Sequence, residues 1–340
     1  IKEPPYISDL YYADIYNEDG SFSTWDTNNN GLFGEWIGNV AEDRDIDLNP
    51  DICVGRLPCR NRTEVRIAVN KIINYERNTF GKSWFRNVVA VAGTTHPEFG
   101  NRFEGEADLS ETLKYLNNFK HLKLYASTNN LSRKNIIRAV NKGCGFFILS
   151  GHGNPPFWTT YRLTNGGAEW FPKFSTYHLN LLTNKDKLPI CIANGCRNSA
   201  FDTSPVNLIK HPNFSYYWMD CIKDCWMWAI VKKPIGGAIA SLGSTGIGYG
   251  KHEPITGGRA DGWSFLIPHF FYEYKSKTNI LGELWHNLII KYLKRFPVDW
   301  NTPSLLEKSD KPRPDVINAR TVQQFILFGD PTLKIGGYEE

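Results

Sequence analysis

The residues able to do chemistry stand at the ends of apolar runs. Ile148-Leu149-Ser150-Gly151-His152-Gly153 sets a histidine between two glycines just past a strand-like run. Its ring is therefore exposed, and its backbone is free to approach a ligand closely. Ile190-Cys191-Ile192-Ala193-Asn194-Gly195-Cys196 puts a thiol at the tip of another such run. A third run ends in the glycine-rich Gly243–Gly250, which has no GxxxxGK[ST] and so is no nucleotide phosphate cradle. A lone loop histidine is usually structural, and a lone cysteine after a strand is usually a small buried hydrophobe. The pairing changes that balance. An imidazole and a thiol brought to one sheet edge are what cysteine nucleophilic catalysis needs. The thiolate would attack a carbonyl, and His152 would protonate the leaving amine and later activate water. The backbone N–H groups of Gly153 and Cys196 would hold the developing oxyanion.

Such an arrangement needs strands that run side by side, and the pattern supplies them. Val88–Ala92 and Phe146–Leu149 are continuous apolar runs, as strands buried on both faces should be. Pro189–Ala193 and Gly236–Leu242 are two more, and Leu122–Ala126 is strand-like. Between them fall helical spacings: Leu109, Leu113 and Leu116 within Glu104–Asn118, and a helix capped by Ser132 that runs to Lys142. Strand alternating with helix predicts right-handed crossovers and a parallel sheet covered on both faces. In such sheets, sites form outside the carboxyl ends of the strands. The first part of the chain reads differently. It is acidic and turn-rich, with a strand at Ile52–Leu57 stopped by Pro58. A helix follows, capped by Asn61 with Glu64 three residues on and an apolar face of Val65, Ala68, Val69, Ile72 and Ile73. The polar run Asn78–Ser83 is the candidate boundary, which divides the chain into residues 1–83 and 84–340.

Composition excludes several classes. With 340 residues, 41% hydrophobic and 22% charged, the chain is globular rather than disordered. A formal net charge of +4 is too slight and too scattered to argue for nucleic acid or a membrane surface. No apolar run reaches the 18 residues of a membrane span. Aromatic richness alone would suit a sugar hydrolase, but no carboxylate pair stands at the strand ends. The chain opens at Ile1 without Met or a signal-like segment, as a trimmed form would. Its seven cysteines form no CxxC pair, which speaks against structural zinc. Cys144 and Cys191 read as reduced core residues, and the odd count leaves Cys196 as the thiol that must stay free. Asp26-x-Asn28-x-Asn30-Gly31, with Glu35 beyond, spaces oxygen ligands as calcium loops do. An EF-hand would put its bidentate acid at Ile37, so a site here would be of another kind. The expected cofactor is a structural calcium ion held by Asp26, Asn28, Asn30 and Glu35, with no organic cofactor.

Ser-Gly-His-Gly at 150–153, with Leu188-Pro189-Ile190-Cys191-Ile192-Ala193-Asn194-Gly195-Cys196-Arg197-Asn198-Ser199-Ala200-Phe201, resembles the gingipain-like cysteine peptidases, the C25-type family of the caspase-like clan. Val54-Gly55-Arg56-Leu57-Pro58, Pro234–Ser244 and Phe328-Gly329-Asp330-Pro331-Thr332-Leu333 agree in order, so the resemblance runs from about residue 45 to 336. It implies an α/β fold: a caspase-like parallel-sheet α/β/α catalytic subdomain preceded by a smaller α/β subdomain. It also implies a protein or peptide substrate, with Cys196 and His152 as the catalytic pair. The family carries acids in the loop after the strand equivalent to Val88–Ala92, one orienting the histidine and one at the bottom of the S1 pocket. In this chain the first position falls near Thr95 and the second near Arg102, with Glu98 and Glu104 as the acids at hand. An acid there would favour Arg or Lys before the cleaved bond. Arg102 as the floor would favour an acidic residue instead. Tyr249 is a candidate pocket wall. The resemblance and the calcium loop together point to a secreted or cell-surface protein. The alternative is a non-catalytic or latent module of the same fold that binds or processes surface proteins, and the presence of both His152 and Cys196 favours the enzyme.

Overall fold

The computed structural model describes residues 5–37, 40–100, 102–251, 261–300 and 314–339. Its strands are β1 (Trp36–Ile37), β2 (Val40–Ala41), β3 (Asn87–Ala92), β4 (Lys120–Tyr125), β5 (Phe146–Ser150), β6 (His152–Asn154), β7 (Phe157–Thr164), β8 (Gly167–Ser175), β9 (Ile190–Asn194), β10 (Ala240–Ser244), β11 (Gly250–Lys251) and β12 (Phe325–Phe328). The predicted apolar runs become the middle of a six-stranded sheet ordered β12-β10-β9-β5-β3-β4. β10, β9, β5, β3 and β4 run parallel, and β12 closes one edge antiparallel to β10. All five residues of β5 and all five of β10 are buried. Side chains alternate between two cores, as a pleated strand requires. Val88, Ala90, Phe146, Ile148, Ile190 and Ile192 pack on one face with the helices Glu104–Leu113, Gly262–Ser276 and Leu281–Arg295. Val89, Val91, Phe147, Leu149, Cys191 and Ala193 pack on the other with Arg133–Lys142 and Trp226–Val231. Phe146 is wholly buried and touches Phe85, Phe119, Phe271 and Tyr274 edge-on or tilted. Its truncation to alanine would cost about 3–5 kcal/mol. The α/β class read from the pattern is the class observed.

Local signals also set the helix ends. Ser132 caps Arg133–Lys142 by accepting the Asn135 N–H at 3.1 Å. Asn61 does the same for Arg62–Asn78 with the Glu64 N–H at 3.0 Å. The apolar face expected of Arg62–Asn78 differs from the face it buries. Val65, Val69 and Ile73 are exposed, and Glu64, Ala68, Lys71 and Tyr75 point inward. The Lys71 ammonium is buried against the segment between the Trp226–Val231 helix and β10 and donates to the carbonyls of Val231, Lys233, Gly236 and Ala238 at 2.6–3.2 Å. Burial pulls its pKa down to about 7. A buried cation satisfied by carbonyls defeats a rule that counts only apolar residues. The expected strand at Ile52–Leu57 is likewise a single bridge: Arg56 alone pairs with Phe328, its N–H on the Leu327 carbonyl at 2.9 Å. Leu10, Ala13, Trp25, Ile46 and Leu48 from the turn-rich first part join the same core as β3 and β5. No described helix is long and apolar enough to cross a membrane.

The sequence reading did not anticipate the second sheet. β6, β7 and β8 form an antiparallel three-stranded sheet that begins at His152 itself. Tyr161 of β7 bridges to Thr94 at the end of β3, which fastens this sheet over the carboxyl edge of the large one.

Candidate active site

β5 and β9 pair in register, with Ser150 opposite Asn194. His152 and Cys196 therefore each stand two residues beyond one shared rung of the parallel ladder. The Gly151 N–H donates to the Asn194 carbonyl at 3.1 Å and continues the pairing past the last strand residues. Both His152 and Cys196 are half-buried. Cys196 Sγ lies 4.0 Å from the Gly248 carbonyl, the weak contact a thiol donor makes. Arg197 follows in the left-handed region at φ 56°. That conformation costs a non-glycine residue on the order of 1–3 kcal/mol. Backbone bonds hold it: the Arg197 N–H reaches Gly246 at 2.7 Å, and the Ser199 N–H reaches Ser244 at 2.9 Å. The turn that carries the thiol is thus stitched to the end of β10. The Arg197 guanidinium is buried 5.7 Å from the Trp218 ring centroid. Burial lowers its pKa, and Asp202 and Asp220 oppose that shift.

Asn198 ties the histidine turn to the cysteine turn. It is fully buried, and its Nδ2 donates to the carbonyls of Asn154 at 2.7 Å and Phe157 at 2.8 Å. Its side chain lies where β-carbons would stand on two glycines. A Cβ on Gly153 would lie 2.3 Å from Asn198 Oδ1, and one on Gly195 would lie 2.2 Å away. Only glycine at both positions lets the amide sit between the two turns. Sequence reasoning missed Asn198. The signal available was its place two residues after the thiol.

The His152 ring has a defined tautomer. Its Nε2 lies 2.7 Å from the Thr95 carbonyl, an acceptor only, so Nε2 carries the proton. Nδ1 is left as the basic nitrogen. Burial lowers the imidazole pKa, opposed by the Thr95 hydrogen bond; His96 lowers it further, and Glu98 and Glu104 raise it. The partner at the histidine-orienting position is thus a backbone carbonyl, and an acid acts one step behind it. Glu104 is buried, and its Oε2 accepts the Thr95 N–H and the Thr94 hydroxyl, each at 3.1 Å. Its carboxylate braces the turn that presents the Thr95 carbonyl. On the same flank the rings of Trp170 and Tyr161 meet His152 edge-on, at 5.1 and 5.6 Å between centroids.

The other sequence candidates fall as follows. Glu98 is exposed and pairs with His96 Nδ1 at 3.1 Å, close enough to His152 for its charge to act there. Arg102 is exposed, and its carbonyl shares the Thr94 hydroxyl proton with Glu104. Tyr249 is half-buried beyond Gly248, with its hydroxyl 3.4 Å from Arg320 Nη1. Asp26, Asn28, Asn30 and Glu35 come together on one loop. Asp26 accepts the N–H groups of Asn30 and Gly31, each at 3.0 Å, and Glu35 Oε1 accepts from the amides of Asn28 and Asn30. These oxygens suit a hard cation in type, provided both asparagine amides turn their oxygens inward. Cys144, Cys191 and Cys225 are buried with their thiols pushed upward, Cys225 to about 12. They are inert beside Cys196 at the sheet edge.

Comparison with known proteins bears on this geometry. The model of Peptidase family C25 matches residues 3–336. Gingipain R2 of Porphyromonas gingivalis is 26% identical over 220 residues, which are 63% of this chain and 25% of that protein. Lys-gingipain W83 of Porphyromonas gingivalis is 25% identical over 162 residues, 46% of this chain and 8% of that one. The crystal structure of the Arg specific cysteine proteinase gingipain R superposes with a TM-score of 0.58 at 17% identity, covering 89% of this chain and 61% of its own. That last likeness is one of fold.

Proposed function

The chain belongs to peptidase family C25, and on that premise we propose that it is a cysteine endopeptidase acting through Cys196 and His152. One observation carries the reading: the Ser150–Asn194 rung brings the thiol and the imidazole to one edge, with Nε2 occupied by the Thr95 carbonyl. Nδ1 then takes the thiol proton and returns it to the departing amine, and later draws a proton from the hydrolytic water. The acyl carbonyl oxygen turns toward the N–H groups of Gly153 and Cys196 as charge develops. The substrate is a protein or peptide, held against the strand ends. Glu104 is spent on its turn, so of the three charged candidates Glu98 is the acid left for an Arg or Lys preference before the cleaved bond. Hydrolysis of Arg-, Lys- and Asp-reporting peptides side by side tests that preference, and equal rates would remove it. Cys196→Ala is expected to abolish peptide hydrolysis while the melting temperature stays within a few degrees. Retained hydrolysis would refute the assignment, whereas absence of hydrolysis by the wild-type protein would leave the non-catalytic reading.

The loop of Asp26, Asn28, Asn30 and Glu35 we read as a structural calcium site, which suits a protein working outside the cell, where calcium is millimolar. Chelator is expected to lower the melting temperature and added calcium to restore it. An unchanged melting temperature would count against the site.

A further inference from the structure

Sheet order assigns the two halves of a substrate to different surroundings. Along the carboxyl edge stand Cys196 after β9, His152 after β5, and Thr94 and Thr95 after β3. The imidazole thus lies between the thiol and the β3 end. During acyl transfer the acyl half stays bonded to Sγ, beside the Gly248 carbonyl. The leaving half departs as an amine protonated by His152, so its first residue passes over or beyond the imidazole. What waits there is aromatic. Tyr161 is tied to Thr94 by its backbone N–H at 3.1 Å, and Trp170 is its register partner across the β7–β8 hairpin. Their rings are stacked at 3.9 Å and 28°, and Trp170 stands perpendicular to the His152 ring. Trp170 is 43% exposed although a cross-strand neighbour, a hydrogen-bonded hairpin and the imidazole all hold it. The hairpin's other face is closed by the Arg162–Glu169 ion pair, with the guanidinium 4.1 Å from the Phe171 ring centroid. Charge is therefore paired off on one face, and a rigid apolar plane is offered on the face toward His152.

We propose that the Tyr161–Trp170 stack is the subsite for the substrate residue that follows the scissile bond, and that it selects a planar aromatic side chain there. The proposal rests on the Cys196–His152 reading above. A preheld ring loses little freedom on binding and meets an incoming ring offset-stacked or edge-on. The test uses peptides identical up to the cleaved bond, ending there in a residue the protein cleaves after in a digest of denatured proteins. Only the next residue varies. The expected kcat/KM for Phe, Tyr or Trp exceeds that for Ala by about three- to tenfold, the worth of one good aromatic contact. Trp170→Ala flattens the ratio to within about twofold, and Trp170→Phe keeps most of it, at the low end of that range. Tyr161→Leu, which removes the ring beneath Trp170, lowers it as well and serves where Trp170→Ala does not fold. Equal rates across the wild-type series overturn the subsite alone. So does a preference that survives Trp170→Ala, or one for Arg or Lys in place of an aromatic residue. Absence of cleavage of every peptide and protein overturns the cysteine peptidase reading and the subsite with it.

Discussion

The two flanks of the His152 ring are held by different means. On the thiol flank the backbone does the placing: the Ser150–Asn194 rung, the Gly151 N–H on the Asn194 carbonyl, and two glycines that admit the Asn198 amide. On the far flank side chains do it: Glu104 braces the Thr94–Thr95 turn, and Tyr161 and Trp170 pack against the ring. Backbone placement tolerates no added atom, and side-chain placement weakens by degrees as parts are removed. The two flanks should therefore respond to mutation with different severity.

The largest effect is expected where an atom is added on the thiol flank. Gly153→Ala sets a methyl 2.3 Å from Asn198 Oδ1, so the amide or the histidine turn must move. Displacement of a catalytic group by about 1 Å costs roughly 100-fold in rate, and the overpacking costs about 1–3 kcal/mol of stability. Steady-state kinetics with thermal unfolding read both, and a variant within twofold of wild type would mean that backbone closeness does not place His152. A smaller loss is expected on the far flank. Glu104→Gln keeps the shape and removes the charge, which should cost about tenfold in kcat/KM through weaker bonds to Thr94 and Thr95. The same change has a pH signature. The Glu104 carboxylate raises the His152 pKa against burial, so its removal should lower that pKa further, as ring NMR would report. A depressed folded-state histidine pKa means that the unfolded chain binds the proton first as pH falls below about 6.5. Stability through His152 is then fully present above that pH and is lost as pH falls from there toward the folded pKa. Glu104→Gln should widen that window downward. An unmoved or raised His152 pKa would place Glu104 outside the reach assigned to it.

The same contrast explains how much could be read in advance. The thiol flank was legible because buried parallel strands are contiguous apolar runs, and a residue just past such a run is at the edge whatever its neighbours are. The edge positions of His152 and Cys196 follow from that; their reading as a catalytic pair rests on their pairing and on the family resemblance as well. The far flank depends on a hairpin whose residues, such as Tyr161-Arg162 and Glu169-Trp170, carry no buried-strand signal, and which pairs with itself, with β6 and with Thr94. The brace at Glu104 was hidden for a related reason. An acid at the first position of a helix reads as a helix-start signal, and its hydrogen bonds to a turn nine residues earlier leave no local trace. Lys71 defeated the apolar-face reading of its helix because carbonyls, which every residue has, satisfy it.

The central claim is that Cys196 is the nucleophile and His152 its base, and covalent capture tests it most directly. A peptidyl chloromethyl ketone, followed by mass-spectrometric mapping of the folded protein, should alkylate Cys196 alone among the seven cysteines. It should label no site in Cys196→Ala and should react far more slowly with His152→Ala. Label on any other cysteine, or capture at Cys196 at an undiminished rate without His152, would contradict the account.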